Sequence, residues 1–202
     1  MIPSRSRIGM QAAFSLMELL AVIAIMGILM VAVVPALNST SKSTGLGIAA
    51  QMVSDEIRYC RSLAAGLNRP VELCFFRAAG SASPWFESFR CRTREQDDSY
   101  RWVTQLRHMP DSIAISANVA LSNVLGSQTP LSQTNGLEMV ALRFYPSGEM
   151  TLADENVTLA DSARFLTLAG KTDLERSPAT RPPNFATIQI NPRNSQAVVH
   201  RP

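Results

Sequence analysis

From Leu19 to Leu37 the chain reads LLAVIAIMGILMVAVVPAL, 19 residues without one polar side chain. No other feature restricts its fold as strongly. As a helix this run rises about 28 Å at ~1.5 Å per residue, close to the ~30 Å hydrocarbon core of a bilayer. The sequence therefore predicts a membrane-spanning helix. Residues 1–13, MIPSRSRIGMQAA, are short and basic, and the next charge after Glu18 is Lys42. Basic residues before the span and few charges after it place the N-terminus inside and the bulk of the chain outside.

Composition narrows the function classes. Arg5 and Arg7 account for two of the 19 basic residues, which leaves 17 against 16 acidic ones. The basic pI is thus a weak pointer to nucleic acid. The three cysteines, Cys60, Cys74 and Cys91, form no C-x-x-C. His108 and His200 stand far from metal-ligand spacing. No G-x-S-x-G, phosphate loop or metal cluster is present, so the expectation is a non-enzyme without cofactor or metal.

Glu18 is the anomaly, a carboxylate at the edge of an apolar run. Three readings compete. It is solvated at the headgroups, it is incidental to a secretory signal cut near Ala36, or it pairs with a cation inside the membrane.

The stretch Ala13-Phe14-Ser15-Leu16-Met17-Glu18-Leu19-Leu20 resembles the processing site of type IV prepilins and type II secretion pseudopilins. The resemblance implies cleavage between Ala13 and Phe14 by a prepilin peptidase, then N-methylation of Phe14 by the same enzyme. It makes Glu18 the fifth mature residue, the one that serves processing and assembly, and Pro35 a helix-loosening proline. The sequence departs from the family at Ala13, where glycine is preferred. Further on, Asn68-Arg69-Pro70-Val71, Met109-Pro110-Asp111-Ser112-Ile113 and Phe144-Tyr145-Pro146-Ser147-Gly148 are similar to junctions in minor pseudopilins of the secretion protein H and fimbrial protein T kind. The tail NFATIQINPRNSQAVVHRP resembles the ends of the pilin-like D proteins of the Verru/Chthon cassette.

The physical logic of such a chain is simple. The new amine at Phe14 is a cation, and Glu18 of a neighbouring subunit can neutralise it as helices pack. An unpaired desolvated charge costs several kcal/mol, so the pair selects register. Ala21, Ala24 and Gly27, three apart, let helix backbones approach, although ordinary membrane composition also explains them.

The domain expectations are a leader at 1–13, a transmembrane helix segment at 14–37, the second half of a long helix at 38–68, and a β-rich domain at 69–202. Leu46, Ala49, Val53, Ile57, Cys60, Ala64 and Leu67 recur at helical spacing, and Gly66 and Asn68 before Pro70 form a stop. Two separate helices, divided near Pro35 and Gly45, are the alternative. Strands are expected at 71–77, 99–107, 112–116, 138–151 (a hairpin turning at Pro146–Gly148), 163–170, 184–190 and 195–201. Residues 78–98 and 118–137 read as loops. The fold class is α+β and pilin-like: one long N-terminal helix, anchor first, packed on an antiparallel sheet. The expected location is the inner membrane, single-pass, with the domain outside the cytoplasm. The partners are the peptidase-methyltransferase, other pilin or pseudopilin subunits and that membrane.

Two further candidates stand beside this reading. A Cys74–Cys91 disulfide would close an 18-residue loop, with unpaired buried thiols as the alternative and Cys60 as a core residue. Arg90, Arg92 and Arg94 with Trp85, Phe86 and Phe89 form a basic-aromatic cluster of the kind that grips single-stranded nucleic acid, diluted by Glu87, Glu95, Asp97 and Asp98. Loop chemistry is the favoured reading of that cluster. Arg176, Arg181, Arg193 and Arg201 are the remaining nucleic-acid candidates, in a DNA-uptake or surface-binding alternative.

Overall fold

The computed structural model describes residues 15–79, 84–97, 99–133, 136–159 and 164–202, with the side chains of 31–42 outside the description. The chain divides into two compact units, residues 1–40 and Ser41–Pro202. Helix α1, Leu16–Leu67, contributes to both.

In the first unit the Ser15 carbonyl accepts the backbone N–H groups of Glu18 and Leu19, which starts the helix. Glu18 in the first turn complements the positive end of the helix dipole. Every side chain from Ser15 to Met30 is exposed.

In the second unit α1 buries a stripe formed by Leu46, Ala49, Ala50, Val53, Ile57, Cys60 and Ala64. Spacings of three and four hold this stripe on one side, and the small residues let strands approach. The helix ends where Asn68 takes a left-handed conformation, φ 50°. The Asn68 N–H then donates to Ala65 and the Arg69 N–H to Ala64, satisfying carbonyls at the helix end. Pro70 cannot continue the helix.

The strands pair antiparallel in two sheets. The larger contains β1 (Val71–Ala78), β3 (Ser88–Arg94), β4 (Tyr100–Trp102), β5 (Arg107–His108), β7 (Leu131–Ser132), β8 (Leu137–Phe144) and β9 (Met150–Leu152). Its order is β4-β3-β1-β8-β7, with β5 also on β3 and β9 on β8. The smaller contains β2 (Trp85–Phe86), β6 (Ile113–Ser116), β10 (Phe165–Gly170), β11 (Phe185–Ile190) and β12 (Ala197–His200), in the order β12-β11-β10-β6-β2. Two short helices complete the body, α2 (Asn123–Gly126) and α3 (Lys171–Arg176).

One core joins the helix stripe to both sheets. Leu73, Phe75, Phe89, Leu142 and Phe144 enter it from the larger sheet, and Ile115, Leu166, Leu168 and Ile188 from the smaller. Each large side chain so buried contributes roughly 1.5–3 kcal/mol. The opposite face of the larger sheet has its own cluster, in which Cys74, Phe76, Met139 and Ala141 lie beneath Trp102, Leu106 and Leu137. This double cover explains why β1 is buried at six successive positions.

Several expectations are corrected. The α+β, pilin-like fold, a long N-terminal helix packed as an anchor on one antiparallel sheet, gives way to a mostly β body of two sheets with short connecting helices. The single-pass inner-membrane location is overturned as well. Among the described residues no helix is long and apolar enough to cross a membrane. Residues 78–98 are not a loop throughout, for β3 is a full strand between β4 and β1 in the larger sheet. The strand expected at 99–107 is reduced to β4 and the start of β5. The hairpin at Pro146–Gly148 is present, with Gly148 at φ 88° and β8 paired to β9 across it.

Candidate functional site

The processing residues fall differently. Ala13 and Phe14 lie outside the described residues. Glu18 is the only ionisable side chain from Ser15 to Met30. Pro35 lies within α1, which runs through it as one helix rather than two. Its side chain is outside the description. Gly27 offers open space, with no atom within 4 Å of a Cβ placed there.

The cysteines pair otherwise than expected. Cys60 and Cys91 form the disulfide, with Cα atoms 6.7 Å apart, and Cys74 is free and buried. Strand alternation is the reason. In the β1–β3 register Cys91 faces Leu73, while Cys74 faces Arg90. Leu73 and Cys91 point to the core that α1 enters; Cys74 points to the other face of the sheet. Burial pushes the Cys74 thiol up to about 12.

Glu56 sits beside the disulfide. One of its oxygens is 3.3 Å from the Cys91 sulfur, and the other accepts from Arg107 at 3.0 Å. A disulfide sulfur carries no proton, so the first contact is packing. The ligand atoms of Glu56, Cys60 and Cys91 fall within 4.8 Å of one another. With the sulfurs bonded to each other, neither is the thiolate a metal needs.

The expected basic-aromatic cluster is split by the same alternation. Phe86 and Phe89 are core residues. Arg90 and Arg92 take the opposite face, where different aromatics meet them. The Arg90 guanidinium lies 3.3 Å from the Trp102 ring centroid, and that of Arg92 lies 3.7 Å from that of Tyr100. Burial lowers the Arg90 pKa from its ordinary value. Of the C-terminal candidates, Arg181 covers Phe185 at 5.1 Å and Arg201 donates to the Ser43 carbonyl.

The strongest charge arrangement was not foreseen. Glu72 in β1 lies opposite Arg92 in β3 and opposite Arg143 in β8, one rung across three strands. Glu72 is 3% exposed, Arg92 12% and Arg143 13%. One Glu72 oxygen accepts from Arg92 at 2.6 Å and the other from Arg143 at 3.0 Å. Burial opposes the charge of Arg143, but bonds to Tyr145, Glu72 and Glu155 outweigh it and raise its pKa. Arg143 also reaches Glu155 at 3.1 Å, and that carboxylate is 81% exposed. The sequence does carry a signal for this rung: one carboxylate inside VELCFFR and arginines at alternate positions of SFRCRTR.

Beside the rung opens a cavity of about 500 Å³. Its apolar wall includes Leu131, Met139, Ala141 and Ala153, and its polar wall includes Tyr100 and Asp154. Asp154 accepts the Thr129 and Asn156 backbone N–H groups, which holds its carboxyl below the ordinary value.

Comparison with protein-family models, with curated proteins and with solved structures gave no match.

Proposed function

We propose that this chain is a minor pilin- or pseudopilin-type subunit, trimmed to begin at Phe14 and joined to other subunits of a pilus-like or secretion assembly by packing of its N-terminal helix. The carrying observation is the exposure of α1 from Leu16 to Met30, where eleven large apolar side chains stand open to solvent beside one carboxylate. Soluble chains seldom leave such a surface uncovered unless something binds it. Other helices of the same kind are the natural cover. They bring apolar side chains, and the amine at Phe14 of each supplies a cation for Glu18. Gly27 leaves room for the approach of a second backbone. The body, closed by two sheets and a disulfide, serves as a rigid head that adapts the assembly.

The test is co-expression of the full chain with a prepilin peptidase, followed by intact mass and N-terminal sequencing. The expected product begins at methylated Phe14. An uncut chain, or one starting beyond Ala36, overturns the reading. In Glu18→Ala the trimmed chain should fail to co-purify with pilin-type subunits that retain the wild type. Equal recovery of the two counts against a role for Glu18 in assembly.

A further inference from the structure

Glu56 holds a buried oxygen that lacks a proton donor. Its Oε2 accepts from Arg107 at 3.0 Å, and the side chain is 4% exposed. Among the described residues Oε1 meets only the Cys91 sulfur, at 3.3 Å. That sulfur has no proton to give while it is bonded to Cys60. A buried acceptor left in this way costs free energy. The group around it is built from two elements. Glu56 and Cys60 are four apart on α1 and share one side of it. Cys91 comes from β3, where its N–H donates to Thr104 Oγ1 at 2.8 Å and its carbonyl accepts from the Val103 N–H. Arg107 lies opposite Phe89 of the same strand, two residues before Cys91. A cavity of about 470 Å³ leads to Glu56, between Asp55 and Tyr59 of the helix and Thr104, Gln105 and Arg107.

We propose that, when the Cys60–Cys91 bond is reduced, the two thiolates and Oε1 of Glu56 bind a zinc ion, with water from the cavity in the fourth position. Two thiolates and a carboxylate form a donor set that suits zinc. The ligand atoms already lie within 4.8 Å of one another, and a tetrahedral zinc spaces such atoms roughly 3.3–3.8 Å apart. The Cys60 and Cys91 Cα atoms, 6.7 Å apart, stand near the wide end of the ~4.4–6.8 Å span for bridged cysteines. The sulfurs can therefore separate with little movement of the backbone. The charges close as well, since zinc with three anionic ligands carries one negative charge and Arg107 supplies one positive. Arg107 keeps Oε2, which orients the ligating carboxylate. Opening the bond takes two electrons and two protons. A dithiol supplies both as it closes into its own disulfide, and zinc then displaces the two protons from the thiols.

The experiment uses the full chain, reduced without air by a phosphine, which takes the oxygen of a water to become its oxide and, unlike a dithiol, does not hold zinc. Cobalt(II) serves as the optical stand-in. The expected result is one cobalt per reduced chain with a sulfur-to-cobalt charge-transfer band, bleached when zinc is added, and no such band in the oxidised chain. Cys74→Ser should keep the band, and Cys60→Ser with Cys91→Ser should lose it. Glu56→Gln, which retains an oxygen for Arg107, should weaken zinc at least about tenfold, measured against a coloured chelator. Zinc should also raise the urea midpoint of the reduced chain and leave that of the oxidised chain unchanged, because a ligand held by the folded state stabilises it. The proposal is overturned by no band in the reduced wild type, or by a band that needs Cys74, survives loss of Cys60 and Cys91, or is present in the oxidised chain. Equal zinc affinity in Glu56→Gln, or a reduced midpoint unmoved by zinc, overturns it too.

Discussion

Cys74 and Cys91 lie on neighbouring antiparallel strands yet point to opposite faces of the sheet, one register position out of step. A bond between them would have to pass through the sheet. Cys91 instead meets Cys60 of the helix, and Cys74 is sealed beneath Phe76, Met139 and Trp102.

Thiol counting tests this. The native chain should show no thiol reactive toward a maleimide at pH 7, because Cys74 is buried and its pKa is pushed up to about 12. Denaturation without reductant should release one reactive thiol, and denaturation with reductant three. Peptide mapping of the oxidised protein should recover Cys60 joined to Cys91. A Cys74–Cys91 peptide would show that the strand register is wrong.

Loss of the crosslink has a calculable cost. The bridged residues are 31 apart in sequence, so the chain-entropy model assigns the bond about 3–4 kcal/mol. Cys60→Ser with Cys91→Ser should lower the urea midpoint accordingly. The wild type under reductant should fall to a similar level, since both remove the same restraint on the unfolded chain.

The buried rung predicts an asymmetry between single and concerted change. Glu72→Ala leaves two guanidinium groups facing each other in a poorly solvated place and should cost about 3–5 kcal/mol. Replacing Glu72, Arg92 and Arg143 together by methionine should cost far less, or nothing, because no charge is then stranded. Urea unfolding of both variants decides the matter. A loss in Glu72→Ala below about 1 kcal/mol would mean that the rung is effectively solvated.

Asp154 predicts a pH effect confined to strong acid. Its carboxyl is held below the ordinary value, first by the Thr129 backbone N–H and then by that of Asn156. A depressed carboxyl stabilises the fold at every pH above its unfolded value, and the contribution disappears as pH falls through the lower folded value. Amide exchange at Thr129 should therefore stay slow from neutral pH through mild acid and quicken only below the usual carboxylate range. In Asp154→Ala it should be fast throughout, while Asp154→Asn, which keeps an acceptor oxygen, should retain part of the protection.

Some of this was legible in the residues and some was not. The buried stripe from Leu46 to Ala64 and the turn at Gly148 are local signals, since helical spacing and a glycine at positive φ are written in adjacent residues. Strand β3 was missed because its arginines suggested a solvated segment. Their charges are in fact taken up by Glu72, Trp102 and Tyr100, partners distant in sequence or revealed only by register. The disulfide was misassigned for the same reason, as sequence distance does not say which face of a strand a cysteine occupies. The division into two sheets depends on which strand meets which, and hydrophobic alternation is the same in either arrangement. The apolar run dominated the reading of location, yet hydropathy of a stretch is not itself a spanning helix.

The bond between Cys60 and Cys91 has a mechanical meaning. It fastens the helix covalently to a strand with neighbours on both sides, inside the larger sheet rather than at its rim. Tension applied along α1 therefore enters the β body through a covalent link. The sheet would be loaded across its hydrogen-bonded ladders at β3, and reduction would leave the backbone between α1 and β1 as the remaining covalent path, with side-chain packing beside it. A chain built this way resists having its helix pulled from the β body for as long as its sulfurs stay oxidised.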